Sequence, residues 1–484
     1  MPMKSLFDKY INSIKDVDTI HYTGSVTAIK GSLIESKGPQ CVFGEICTIK
    51  IPKNDISEDF RADLENSENE KYTKVLAEVC GLNGTTVQLM AYGDTKGIEI
   101  GCEVVGSGSI LKVGVGPALL GRVVDALGKP YDNKGEIIPE TWYPAIASPP
   151  SPLERTPIKE RILTGVRAID SLLAVGKGQR LGIFAGSGVG KSTLLSMIAR
   201  NTNADINVIA LVGERGREVI DFIERDLGEE GLKKSVIIAA TSDQSSIARL
   251  RASYTATAIA EYFRDQGKDV MLMFDSVTRF AHAQREIALA AGEPPAQRGY
   301  PPSVFELIPK LLERSGTSQK GSITAFYTVL VDGDDMDEPI ADKVRGTLDG
   351  HIVLSKSLAA AYHYPAIDIL NSVSRLANRI SAPNTKQACA KMRTLISTYA
   401  ESKELIEVGA YESGRNPTTD LAVELHPQIE EFLIQDEMEN SSLKETLEKL
   451  SRITDIKIPQ EEFLSEDELK ENETQSANLI EENI

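Results

Sequence analysis

Residues 181–200 constrain the fold more than any other stretch. Leu181-Gly182-Ile183-Phe184-Ala185 is apolar without alternation, as in a strand buried on both faces. Gly186-Ser187-Gly188-Val189-Gly190-Lys191-Ser192-Thr193 follows, and then Leu194, Leu195 and Ile198 share one helical face. Three glycines let backbone N–H groups turn inward around phosphate oxygens, and the helix N-terminus adds its positive end. Lys191 would reach the β- and γ-phosphates of a nucleotide, and the Ser192 hydroxyl would ligate Mg²⁺. The strict pattern has Gly where this chain has Ala185. The alternative is a glycine turn that only joins strand to helix; the intact strand–loop–helix context argues against it.

Around this loop the pattern alternates between strand and helix. The apolar runs LGIFA, VIALVG, SVIIAA, VMLMFD, ITAFYTVLV and HIVLS read as buried, hence parallel, strands. Residues 191–200, 216–227 and 245–266 read as helices between them, which predicts a parallel α/β sheet. From about residue 380 the strand signal stops, and 386–406, 418–434 and 441–452 read as helices. Upstream, 21–115 holds short alternating segments broken by Gly, Asn and Asp, which predicts a β-barrel. A Pro-rich passage at 143–157 marks a boundary. The chain thus divides into an amphipathic helix at 1–20, a β-barrel domain at 21–115 with an acidic insert at 54–74, an α/β nucleotide domain at 145–379, an α-helical domain at 380–455 and an acidic tail, expected to be unfolded, at 456–484.

Charge narrows the partners. Acidic residues outnumber basic ones 71 to 53, for a formal net charge of −18. That balance opposes neutralisation of a nucleic-acid backbone, so no nucleic-acid partner is expected. The excess is uneven: residues 461–484 hold nine acids and one lysine. No apolar run approaches the roughly 18 residues that span a bilayer. Five cysteines without a CxxC pair read as reduced thiols of a cytoplasmic protein, and five histidines form no metal pattern.

Two carboxylates accompany the loop. Val270-Met271-Leu272-Met273-Phe274-Asp275 is an apolar strand ending in an acid that can hold Mg²⁺ through water. The strand at Val208–Val212 runs into Gly213-Glu214-Arg215-Gly216-Arg217-Glu218. Ligands bind beyond the carboxyl ends of parallel strands, so Glu214 would face the γ-phosphate and activate water. Its alternative is a surface ion pair with Arg215 or Arg217.

Taken together, GSGVGKST, LVGERGREV, MLMFDSVTRF, AQREIAL, GEPPAQRGYPPSVF and HYPAIDILNSVSR resemble the ring ATPases of type III secretion, most of all their flagellar protein-export branch. The group is similar to the catalytic subunits of rotary ATP synthases. The likeness covers about residues 20–450 and implies a barrel, a RecA-like domain, a C-terminal helical domain and a homohexamer hydrolysing Mg-ATP to drive export. It implies that Arg375 is an arginine finger reaching a neighbour's site, that Arg279 lies near the phosphates, and that Tyr364 stacks beside adenine. Ion pairing for Arg375 and core packing for Tyr364 are the alternatives. It further implies a stator-like regulator on the N-terminal helix, a central stalk protein touching the acidic loop 331–339, chaperone–cargo complexes, and peripheral association with an inner-membrane export apparatus. An injectisome ATPase or a rotary-synthase catalytic subunit are the other readings. A related RNA-translocating hexamer is disfavoured by the charge, and a non-catalytic ring subunit by Glu214.

Overall fold

The computed structural model describes residues 22–52, 71–331 and 335–463. The expected helix at 1–20 lies outside them, as do residues 54–70 of the insert. Two compact units divide the chain.

The first comprises the chain up to Lys112 with Asp243–Leu250 and Ala283–Pro301. Its centre is a closed six-stranded barrel among the described residues, in the order Thr23–Lys30, Leu33–Lys37, Thr86–Ala91, Tyr72–Asn83, Glu45–Pro52, Glu103–Ile110. Along Glu45–Pro52 every second residue is buried, the period of a strand with one face inward. Ile34, Cys47, Ile49, Ala77, Leu89 and Val104 fill the interior. Closure leaves no unpaired edge to template aggregation. Tyr72, Thr73 and Lys74 already pair with Pro52, Ile51 and Lys50. These last residues of the expected 54–74 insert are therefore strand.

The second unit is built on a sheet of nine strands among the described residues. Its order is Ile367–Ser374, Gly350–Leu354, Arg180–Ala185, Ser322–Leu330, Asp269–Asp275, Ile206–Val212, Ser235–Ala240, Val123–Val124. The last seven of these are mutually parallel. Ile206–Val212 and Ser235–Ala240 are buried at every position, which explains their uninterrupted apolar runs. Two departures from the expected all-parallel sheet occur. Ile367–Ser374 runs antiparallel along one edge, and Gly316–Thr317 pairs antiparallel with Ser322–Leu330. The expected helix at 216–227 is two pieces: an α-helix at Gly216–Asp221 and a π-helical turn at Phe222–Leu227.

Helices Pro383–Glu407, Pro417–Leu433 and Leu443–Thr454 form the C-terminal layer. Two begin with Pro at the first turn, where its missing N–H leaves nothing unsatisfied. Ser442 and Glu445 form a capping box on the third. Ala388, Met392, Phe432 and Leu447 join one apolar cluster with Ile183, Ile198 and Leu211 of the nucleotide fold. The helical layer and the sheet thus share a core. Glu462 accepts hydrogen bonds from the backbone N–H groups of Asn384 and Thr385, 2.9 and 2.8 Å away, at the start of Pro383–Glu407. Ile458, four residues earlier, is buried in the shared core. Residues 456–463 of the expected tail are therefore packed; a carboxylate satisfying a helix N-terminus is a specific anchor. Residues 464–484 lie outside the described residues.

Candidate active site

Four strands of the parallel sheet end at one place. Arg180–Ala185 runs into the glycine loop, where Gly188 and Gly190 have φ of +78° and +89°. A side chain at either would be strained, which is why both are glycine. Lys191 opens the helix Lys191–Asn201, which buries Leu194, Leu195 and Ile198 against the sheet. Ile206–Val212 ends at Gly213, whose φ of +72° turns the chain so that Glu214 follows. Asp269–Asp275 delivers Asp275 and Ser322–Leu330 delivers Thr328. Pairing of Phe274 with Tyr327 places Thr328 beside Asp275.

The side chains converge on the lysine. The Lys191 ammonium donates to Asp275 Oδ1 at 2.5 Å and lies 3.5 Å from Glu214 Oε1. The Thr328 hydroxyl donates to the same Asp275 oxygen at 2.7 Å. Asp275 is 3 % exposed, so its charge needs both donors. Burial opposes the ammonium, but Asp275 and Glu214 outweigh it and hold the Lys191 pKa above the ordinary lysine value. Burial and the negative charge of Asp275 push Glu214 up to about 7, against the pull of Lys191. A carboxylate titrating near neutrality is matched to general-base work. Its surface alternative is closed off, because Arg215 pairs with Glu218 and Arg217 with Asp221.

Arg279 lies on the helix Val277–Ala290 that follows Asp275. Its stem packs over Gly213: a Cβ there would come 3.0 Å from the arginine's own Cβ. Its Nε is buried with no hydrogen-bond partner. An unsatisfied buried guanidinium nitrogen on a stem packed over Gly213 suits an anionic ligand. Ser192 sits exposed in the first turn of the lysine helix, and Ser187 and Gly188 are exposed in the loop. Gly186 and Val189 are buried beneath them. Tyr364 comes to the loop's end, where a Cβ on Gly190 would meet its ring at 3.4 Å.

Arg375 is not brought to this cluster. It follows the edge strand Ile367–Ser374, whose Ser374 pairs with Gly350 at the start of a parallel strand. Its N–H donates to the Asp349 carbonyl. That is the amino end of the sheet, opposite the end that carries Lys191, and Arg375 is exposed there. Thr328 escaped the sequence reading, since Thr324 and Tyr327 carry hydroxyls in the same run ITAFYTVLV and nothing local sets it apart. Asp337 of the acidic loop and Asp342 of the helix Pro339–Thr347 ion-pair with Arg345; residues 332–334 lie outside the described residues.

Comparison with known proteins identifies the family. Residues 165–374 match the ATP synthase alpha/beta family, nucleotide-binding domain, and residues 26–108 its beta-barrel domain. Residues 381–452 match the T3SS EscN ATPase C-terminal domain. A flagellum-specific ATP synthase of Treponema pallidum (strain Nichols) is 54% identical over 94% of this chain and 98% of its own length. The assembled ATPase EscN of the enteropathogenic E. coli type III secretion system superposes with a TM-score of 0.81 at 43% identity. That match covers 89% of this chain and 100% of EscN. EscN solved with its central stalk EscO gives 0.79 at 42% identity, with the same coverage. The chain belongs to the ATP synthase alpha/beta family, within its type III secretion and flagellar export ATPases.

Proposed function

We propose that the chain hydrolyses Mg-ATP as a homohexameric ring that energises flagellar type III protein export. The observation that supports this most is the Lys191 ammonium held between Asp275 and Glu214 beyond the carboxyl ends of parallel strands. The backbone of Gly186–Gly190 wraps the phosphates, and Lys191 exchanges carboxylate for phosphate oxygen. Thr193 closes the cradle in the first helical turn. Among the described residues no three His, Cys, Asp or Glu side chains could hold a metal alone. Ser192 and Asp275 are oxygen donors of the type that hold Mg²⁺ jointly with substrate phosphates. When bound, Mg²⁺ neutralises charge on the β- and γ-oxygens. Glu214 orients the attacking water and takes its proton. Arg279 donates to oxygens near Glu214, and Tyr364 offers its ring to the base.

Arg375 completes the neighbouring site. It points from the opposite end of the sheet, so a closed ring of identical chains supplies it in trans. The solved EscN–EscO complex supports a central stalk partner. A stator-like regulator on residues 1–20, chaperone–cargo complexes and an inner-membrane export apparatus complete the reading, with the ring in the cytoplasm at the membrane surface. No helix among the described residues is long and apolar enough to cross a membrane. The injectisome is the second reading, carried by the likeness to EscN; the higher identity to a flagellum-specific relative favours the flagellar one. Deleting the gene tests both together: loss of filaments, restored by the wild-type chain and not by Lys191→Ala, supports flagellar export. Intact filaments with a defect in effector secretion support the injectisome.

A further inference from the structure

The segment bearing Tyr364 is tied to the helical domain at two adjacent residues. His363 is 4 % exposed, and its Nδ1 lies 2.9 Å from Glu430 Oε2 on the helix Pro417–Leu433. The Gln435 N–H, just beyond that helix, donates to the Tyr364 carbonyl at 2.9 Å. Gln435 is itself locked, accepting from the Arg167 N–H and donating to the Gly165 carbonyl. Behind Glu430, His426 stacks on Tyr399 of Pro383–Glu407 with ring centres 3.5 Å apart. The contact with His363 holds the Glu430 carboxylate below its usual range, as a charge-assisted hydrogen bond does. On the other side of the same backbone, the Tyr364 ring lies against Gly190.

We infer that the Glu430–His363 pair is a strut that positions the Tyr364 ring over the end of the phosphate loop, so that the helical domain sets the affinity for the nucleotide base. This rests on the reading of Tyr364 as the base platform. The residues do not touch the reacting phosphates; they are positioning residues. The physical reason is rigidity. The Tyr364 ring sits on a short connection between Lys356–Ala360 and Ile367–Ser374, with the Tyr362 ring edge-on at 6.5 Å. Tyr362 beside it is exposed and has a φ of +59°. The pairing of buried His363 with half-buried Glu430, and the adjacent main-chain bond, tie that connection to the helical layer.

The test uses the full-length assembled protein. Glu430→Ala removes the acceptor; Glu430→Gln keeps one. Glu430→Ala is expected to raise the KM for ATP roughly tenfold, with kcat changed less than about twofold, because the lost bond acts on binding alone. Glu430→Gln is expected to restore most of the affinity. Inhibition by inorganic tripolyphosphate, which lacks a base, is expected to be equal in all three proteins. In the Tyr364→Ala background, Glu430→Ala is expected to add no further loss. A parallel loss of tripolyphosphate affinity would overturn the strut, since the change would then act on the phosphate loop. So would an unchanged KM in Glu430→Ala while Tyr364→Ala raises it. If Tyr364→Ala itself leaves KM unchanged, the platform reading fails first and the strut with it.

Discussion

The Lys191 ammonium and the Asp275 carboxylate meet at 2.5 Å, with Thr328 on the same oxygen. Lys191 follows the strand Arg180–Ala185 through the glycine loop and Asp275 ends Asp269–Asp275, two strands separated in the sheet by Ser322–Leu330, so their meeting is a product of topology. Lys191 compensates a buried acid and, in the proposed function, exchanges it for phosphate. Lys191→Met is expected to reduce turnover by about two to three orders of magnitude, as loss of one preorganised charge does. It also strands Asp275 with a single neutral donor. The double variant Lys191→Met/Asp275→Asn is therefore expected to melt at a higher temperature than Lys191→Met, while remaining inactive. Equal melting of the two would show that Asp275 does not depend on the lysine.

Glu214 predicts a pH profile. Burial and Asp275 raise its pKa to about 7, and the base form is the carboxylate. Thus kcat/KM is expected to rise with pH up to about 7 and then level off. In Glu214→Gln the rise should vanish and turnover should fall roughly 10²–10⁴-fold. The stability sign is opposite. A carboxyl whose folded pKa is raised contributes stability that is full below its ordinary pKa and is lost as pH rises through about 7. The wild-type melting temperature should therefore lose more than that of Glu214→Gln across this interval. A thermal melt series from pH 4 to 8, beside a rate profile, reads both.

Much of this site was legible in sequence because its signals are local. A strand, three glycines, Lys191 and a helical stripe lie within twenty residues, and each supports the others. Helices Pro383–Glu407, Pro417–Leu433 and Leu443–Thr454 were readable from period alone, because each presents one face to the core. What escaped depends on pairing across the chain. Ile367–Ser374 is half exposed and takes its partner from Gly350–Leu354, so its eight residues carry no buried-strand run. Val123–Val124 is two residues long and joins the sheet only through Ser235–Ala240. Glu462 looks like any other acid of the C-terminal segment; only its place above Asn384 and Thr385 separates it. Thr328 became a site residue through register, and His363 through a helix some 67 positions away.

Arg314 and Glu261 give a stability prediction. Arg314 is 1 % exposed, and its Nε and Nη2 bond the two Glu261 oxygens at 2.9 and 2.6 Å. Its Nη1 donates to the Ala145 carbonyl at 2.6 Å. Glu261→Ala leaves this guanidinium buried without its counter-charge and is expected to destabilise by about 3–5 kcal/mol. Replacing both groups with apolar side chains, as Glu261→Leu/Arg314→Met, should recover most of that loss. The measurement is the denaturant midpoint of each variant. A double variant no better than Glu261→Ala would mean that the bond to Ala145, not the ion pair, carries the effect.

Arg375 separates a ring of shared sites from a set of independent subunits. The Asp349–Arg375 main-chain bond fixes it at the amino ends of the parallel strands, while Lys191 lies past their carboxyl ends. A strand of six residues such as Arg180–Ala185 spans roughly 20 Å. An arginine cannot fold back over that distance to its own Lys191. Arg375→Ala and Lys191→Ala are each expected to be inactive as pure proteins, since every interface lacks one member. When the two are mixed and reassembled, one kind of interface pairs an intact Arg375 with an intact Lys191. With random equal mixing, about a quarter of the interfaces are of this kind. Recovered hydrolysis, rising with the fraction of mixed rings and absent before reassembly, is the expected result. A mixture that stays silent after subunit exchange has been verified by mass would place Arg375 outside the catalytic interface.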